Sequence, residues 1–194
     1  MKSLAKKSRY QWLLYFIVLL WVVEIIDFAI FRGGLNHYGA QSRTFDNLQG
    51  YLFMPFLHGD FTHLFNNTIG LAVFGALLLI RGWRDLAYAT AGAFIGSSLF
   101  IWLLAPSASV HIGASGIIFG WWSYLIARAF YEKNVKSILI ATAVIFFFGT
   151  MIYGVLPGQA GISWQGHLGG AVGGVVGAWA MSEKRSTKTR RARV

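Results

Sequence analysis

The chain has 194 residues, 56% of them hydrophobic and only 12% charged, with a formal net charge of +10 and a mean hydropathy of +0.54. That charged fraction is about half of what soluble globular domains carry, so a water-soluble domain of this size could not hide the apolar surface implied. Cysteine is absent, which excludes a disulfide framework, a thiolate metal site and a cysteine nucleophile. The positive charge gathers at the two ends and in short gaps, without an extended basic face interleaved with aromatics, so no nucleic-acid partner is expected.

In chain order, residues 1–11 form a basic N-terminus, and a first apolar run covers about 12–31. This run is longer than the roughly 7–15 residues of a signal-peptide core, so it is read as a retained span. It contains Glu24 and Asp27, to which no reaction is assigned. The loop over about 32–62 is rich in aromatics and glycine, with Pro55 near its end, and part of it is expected to lie in or on the outer leaflet. Further apolar runs follow over about 63–80, 85–104, 115–131, 136–155 and 165–181, the sixth run being shorter and glycine-rich. Most approach the roughly 20 residues that cross about 30 Å of hydrocarbon as a helix. Lipid offers the backbone no hydrogen-bond partner, so each is predicted to be helical. Residues 182–194 form a polar, basic tail expected to touch anionic lipid headgroups.

The expected fold class is therefore an all-α membrane protein with a single six-helix core over 12–181. With both termini cytoplasmic, the inner segments hold fifteen of the 17 lysines and arginines, and the outer loops only Arg32 and Arg43. That asymmetry follows the positive-inside rule for a multi-pass protein.

Polar groups inside spans are costly and therefore candidates for function. The second, fourth and sixth runs begin at the outer face, and each carries polar groups in its first turns: His63, Asn66 and Asn67; Ser115; and Gln165 with His167. Ser115 lies in Gly113-Ala114-Ser115-Gly116. A serine at a helix start is commonly an N-cap. It is also well placed as a nucleophile, because Gly113 and Gly116 admit a reacting carbonyl and the helix N-terminus favours a developing oxyanion. Ile117 stands where a soluble hydrolase elbow has its last glycine, so that fold is not indicated.

His167 lies within about 3–5 Å of its helix end and can remove a serine proton as a neutral imidazole. Interhelical hydrogen bonding is the alternative role. Gly166, Gly170 and Gly174 form one small-residue stripe, and Gly116 and Gly120 another, so the fourth and sixth helices can approach closely. No carboxylate accompanies the outer ends of these runs apart from Asp60 in the preceding loop. A Ser–His dyad is therefore expected, its imidazole oriented by packing, with Phe119 one turn below Ser115 available to stack or simply to fill the core. His63 and Asn67 share a helix face at i, i+4 and could donate to an oxyanion. A metal site using His63, His58 and Asp60 is the alternative weighed and not adopted.

These motifs resemble the rhomboid family of intramembrane serine proteases. Gly113-Ala114-Ser115-Gly116 opens the fourth helix, Gly166-His167-Leu168-Gly169-Gly170 opens the sixth, and His63-Leu64-Phe65-Asn66-Asn67, preceded by His58, lies on the second. The resemblance implies a six-helix rhomboid-like bundle with a water-filled cavity open to the outer face. It implies Ser115 as nucleophile and His167 as base, with His63, Asn67 and the Ser115 N–H as the oxyanion hole. Substrates would be single-span membrane proteins cut near the outer face, with no metal or organic cofactor, in what is expected to be a bacterial plasma membrane. The Trp-Arg pair common in the family's first loop is missing, with Gln49-Gly50 about where it should stand, and Phe119 replaces the tyrosine of some members. Two competing readings are a catalytically silent, client-binding relative, which would lack the serine or histidine, and a small transporter, which would show internal repeats and midplane polar groups.

Overall fold

The computed structural model describes residues 2–159 and 161–191. Helix α1 covers Lys2–Ile26 and widens into a π-helical turn over Asp27–Phe31. The first loop folds into short turns around strand β1 (Ala40–Gln41) and helix α2 (Gly50–Phe53). Helix α3 runs over Phe61–Arg81, starting two residues before the hydropathy limit of 63 because Asp60 caps it: its Oδ1 accepts the His63 N–H at 2.7 Å. Gly82, at φ +135°, makes the tight turn into α4 (Trp83–Leu104).

Strand β2 (Val110–His111) then pairs antiparallel with β1, Ala40 opposite His111, and α5 follows over Ser115–Glu132. Helix α6 covers Val135–Phe148, capped by Asn134, and passes into a 3-10 segment over Gly149–Val155. The last helix, α7, extends over Trp164–Arg191. It thus continues well beyond the apolar limit of 181, into the polar, basic tail.

Among the described residues, four segments are long and apolar enough to cross a membrane: Arg9–Phe31, Phe61–Arg81, Trp83–Leu104 and Val135–Val155. Helices α5 and α7 are less apolar, and their position explains it. In α5, residues as polar as Ser123 and Arg128 lie buried among other helices, whereas only 17% of the first span is buried within the protein. A helix facing protein can carry Gly, Ser, Tyr and Arg where a lipid-facing one carries aliphatics. The main core joins Leu20 of α1, Leu64, Leu71, Phe74 and Leu78 of α3, and Trp121, Tyr124 and Leu125 of α5.

Helix α7 is held between α4 and α5 by glycine on two faces. Toward α5, a Cβ at Gly170 would lie 2.0 Å from the Gly116 carbonyl oxygen, and one at Gly174 would lie 2.1 Å from that of Gly120. Toward α4, a Cβ at Gly173 would lie 1.9 Å from the Gly92 carbonyl oxygen, and one at Gly169 would lie 2.3 Å from that of Gly96. Backbones this close leave no room for any side chain. The Arg43 guanidinium donates to the carbonyl oxygens of Leu103 (3.1 Å) and Ala105, closing the C-terminus of α4 and tying the first loop to it.

Candidate active site

Ser115 is the first residue of α5. Its N-cap is Ala114, which offers no side-chain cap, so the serine hydroxyl is not spent on helix capping. The hydroxyl instead meets His167 near the start of α7, with Ser115 Oγ 2.8 Å from His167 Nε2. The two are 52 residues apart in sequence, and the glycine seam between α5 and α7 brings them together.

The other imidazole nitrogen fixes the tautomer. His167 Nδ1 lies 2.9 Å from the Gly154 carbonyl oxygen. A carbonyl can only accept, so Nδ1 carries the proton and Nε2 is left free to accept from the Ser115 hydroxyl. The ring also stacks on Phe119, centroids 4.1 Å apart and planes 10° from parallel. Orientation therefore comes from a stacked ring, as the sequence suggested, and from a backbone carbonyl, which it did not. No signal marks Gly154 beyond its being a glycine late in the fifth run. Its 3-10 segment delivers the carbonyl, and a Cβ there would lie 2.6 Å from Phe119 Cζ.

His63 and Asn67 come to the same place. Gly113 adopts φ +107°, and a Cβ on it would lie 2.7 Å from His63 Nε2 and 3.4 Å from Asn67 Nδ2. Only glycine suits both that conformation and that crowding. The Gly113 N–H is engaged by the Met54 carbonyl oxygen at 2.8 Å, which anchors the approach to Ser115. Asn67 Nδ2 is buried and has no hydrogen-bond partner among the described residues. An unsatisfied buried donor is rare enough to need a reason. Here it lies beside Gly113, two residues before Ser115, and the first N–H groups of α5 have no intrahelical acceptor.

His58 packs edge-on against His63, ring centroids 5.0 Å apart. It is 1% exposed, and neither ring nitrogen has a hydrogen-bond partner of ordinary geometry. Burial, reinforced by His63, holds it down to about 4, with the Phe56 backbone and the Asp60 carboxylate only partly opposing. Among the described residues no group of three or more His, Asp or Glu side chains is arranged to hold a metal. Gly116 and Gly170 belong to the α5–α7 seam, one residue after Ser115 and three after His167.

Fold and site together define a multi-pass helical membrane protein with a serine and a histidine hydrogen-bonded in its interior. Comparison with known proteins supplies the family: the Rhomboid domain model matches residues 46–184. The Mycobacterium tuberculosis protein Rv1337 is 38% identical over 190 residues, covering 93% of this chain and 79% of its own. The Mycobacterium leprae protein ML1171 is 38% identical over 178 residues, covering 88% and 70%. Rhomboid-like protein 11, chloroplastic, of Arabidopsis thaliana is 31% identical over 145 residues, covering 66% and 50%. The chain belongs to the rhomboid family, whose members are generally intramembrane serine proteases.

Proposed function

We propose that this protein is an intramembrane serine endopeptidase acting through a Ser115–His167 dyad. The observation that carries the reading is the oriented pair: Ser115 Oγ at 2.8 Å from His167 Nε2, with Nδ1 held by the Gly154 carbonyl. The Ser115 hydroxyl gives its proton to His167 Nε2 as Oγ bonds to the scissile carbonyl carbon. The carbonyl oxygen becomes an oxyanion, stabilised by His63, Asn67 Nδ2 and the Ser115 N–H. The imidazolium then returns its proton to the amide nitrogen as the C–N bond breaks. Water gives a proton to the same imidazole as its oxygen bonds to the acyl carbon, and the imidazolium returns that proton to Ser115 Oγ as the ester C–O bond breaks and the carboxylic acid leaves. No carboxylate is needed, since carbonyl and stacked ring do the orienting. No metal or organic cofactor enters this scheme.

The reading extends to topology and substrate. The four apolar segments together with α5 and α7 make six spans, with both ends on the cytoplasmic side of a plasma membrane, as the cation distribution favours. The site lies at the outer ends of α3, α5 and α7, which favours single-span proteins cut near the outer face. The mycobacterial relatives support a bacterial membrane. Labelling with a fluorophosphonate probe tests the nucleophile. The parent protein is expected to label and Ser115→Ala to lose all labelling. A Ser115→Ala variant that still labels would sink the assignment, and an unlabelled parent would favour a client-binding relative without catalysis.

A further inference from the structure

Ahead of the dyad in sequence, a second histidine–serine pair joins the same two chain segments. His111 Nδ1 lies 2.6 Å from Ser163 Oγ. The two residues are 52 apart, the same separation as Ser115 and His167, and each stands four positions before its dyad counterpart with the residue types exchanged. His111 is 8% exposed in β2, and Ser163 immediately precedes α7.

The hydrogen bonding of this pair has a direction. The Ser109 hydroxyl donates to the Pro106 carbonyl oxygen at 2.6 Å. Its single proton being used, Ser109 Oγ accepts from His111 Nε2, 2.8 Å away. His111 is thus protonated on Nε2, and its Nδ1 accepts the Ser163 O–H. A chain runs from Ser163 through His111 and Ser109 to Pro106, in the turn after α4. Ser163 spends its side chain here although its position is that of an N-cap. Its carbonyl oxygen meanwhile accepts the His167 N–H at 3.0 Å. On the other side His111 is fixed by its ladder to Ala40, and Gly113 by the Met54 carbonyl. The segment leading to the nucleophile and the residue opening the base's helix are therefore pinned to one another.

Building on the serine-protease reading, we propose that His111 and Ser163 are positioning residues that lock the Ser115 end of the α5–α7 seam and so set the Ser115–His167 distance. Neither touches the reacting atoms. A misplacement of a fraction of an ångström at the dyad slows the chemical step without changing how substrate binds. The glycine seam fixes the separation of the helices, and this link fixes the loops that enter them.

The test uses the full-length protein in micelles with a model transmembrane substrate and a fluorophosphonate. His111→Phe keeps the volume and removes both bonds; Ser163→Ala removes one oxygen. Each is expected to lower kcat and the labelling rate about tenfold with KM nearly unchanged. The double variant is expected to be no slower than the slower single, because the two act as one unit. His111→Asn, which keeps an acceptor toward Ser163, and Ser163→Thr, which keeps the hydroxyl, are expected to restore most of the rate. Should His111→Phe melt early, Ser163→Ala alone carries the kinetic arm. Nitrogen NMR of the histidines is expected to find His111 protonated on Nε2 at neutral pH. A labelled parent with both single variants at its rate, effects that multiply in the double variant, or a His111 protonated on Nδ1 would each overturn the inference. An unlabelled parent would overturn the protease reading instead.

Discussion

At the residue scale the site depends on atoms that residue type does not announce. Ser115, His167, His63 and Asn67 stand out in the sequence as polar side chains in apolar runs, and the fold sets Ser115 against His167 and both His63 and Asn67 against Gly113. Gly154 does not stand out, because it contributes a carbonyl that every residue has, delivered by a 3-10 segment that hydropathy merges with the fifth run. Gly154→Ala keeps that carbonyl but places a methyl 2.6 Å from Phe119 Cζ. The ring must move, and the imidazole stacked on it at 4.1 Å loses its support. A fall in kcat of about tenfold is expected, with the fold retained; an unchanged fluorophosphonate labelling rate would show that the stacked ring is not needed.

His58 makes the second residue-scale prediction. Its folded-state value, about 4, lies below the ordinary 6.5, so between those values the unfolded chain binds more protons. The stability His58 contributes is complete above about pH 6.5 and is lost as pH falls toward 4. One histidine of this kind removes on the order of 2 kcal/mol between pH 7 and pH 5. His111, lowered by burial, acts in the same direction. Thermal midpoints in micelles should therefore fall from pH 7 to pH 5, and His58→Phe should flatten part of that slope. A variant as pH-sensitive as the parent would mean that His58 stays neutral in both states or is protonated in the fold.

At the element scale, hydropathy located the helices well but misjudged their ends. Asp60 starts α3 early through a cap, and α7 runs on past its apolar stretch because the backbone can continue once water or headgroups replace lipid. The glycine pattern was half legible. The α7 stripe facing α5 was evident, but Gly169 and Gly173, set against Gly92 and Gly96 of α4, form an equally close seam. They share the same four-residue spacing, yet a stripe in one helix does not say which neighbour it meets. Gly173→Val tests the second seam. Its first carbon would sit 1.9 Å from the Gly92 carbonyl oxygen, so α7 must shift. Overpacking costs about 1–3 kcal/mol where neighbours can adjust, and backbone against backbone adjusts poorly. Loss of thermal stability together with loss of labelling is expected, since α7 carries His167. A stable, fully labelled variant would refute the close packing of α4 and α7.

At the scale of the whole molecule the two ends of α5 are held by different physics. Its Ser115 end meets hydroxyl, imidazole and glycine backbone. Its Glu132 end enters a buried ionic cluster, where Arg128, fully buried, pairs with Asp85 at 3.4 Å and with Glu132, and Arg81 reaches the same two acids. Tyr124 donates to Asp85 at 3.1 Å, and Arg128 Nη1 to the Ala178 carbonyl of α7 at 3.3 Å. Charge counting reads Arg81 and Arg128 only as cations flanking apolar runs; in the fold they join α3, α4, α5 and α7. Charge counting could not reveal that, since it ignores which acids lie opposite. Removing one partner of a buried ion pair strands the other and costs about 3–5 kcal/mol. Arg128→Ala is expected to show that loss in unfolding titrations. The site should be spared: Arg128 follows Ser115 by 13 residues on α5, which at about 1.5 Å each sets the two roughly 20 Å apart. Labelling per folded molecule should therefore stay at the parental rate while the folded fraction falls. A reduced rate in the folded fraction would mean that the ionic cluster also sets the geometry of the dyad, with α5 acting as the rigid connection.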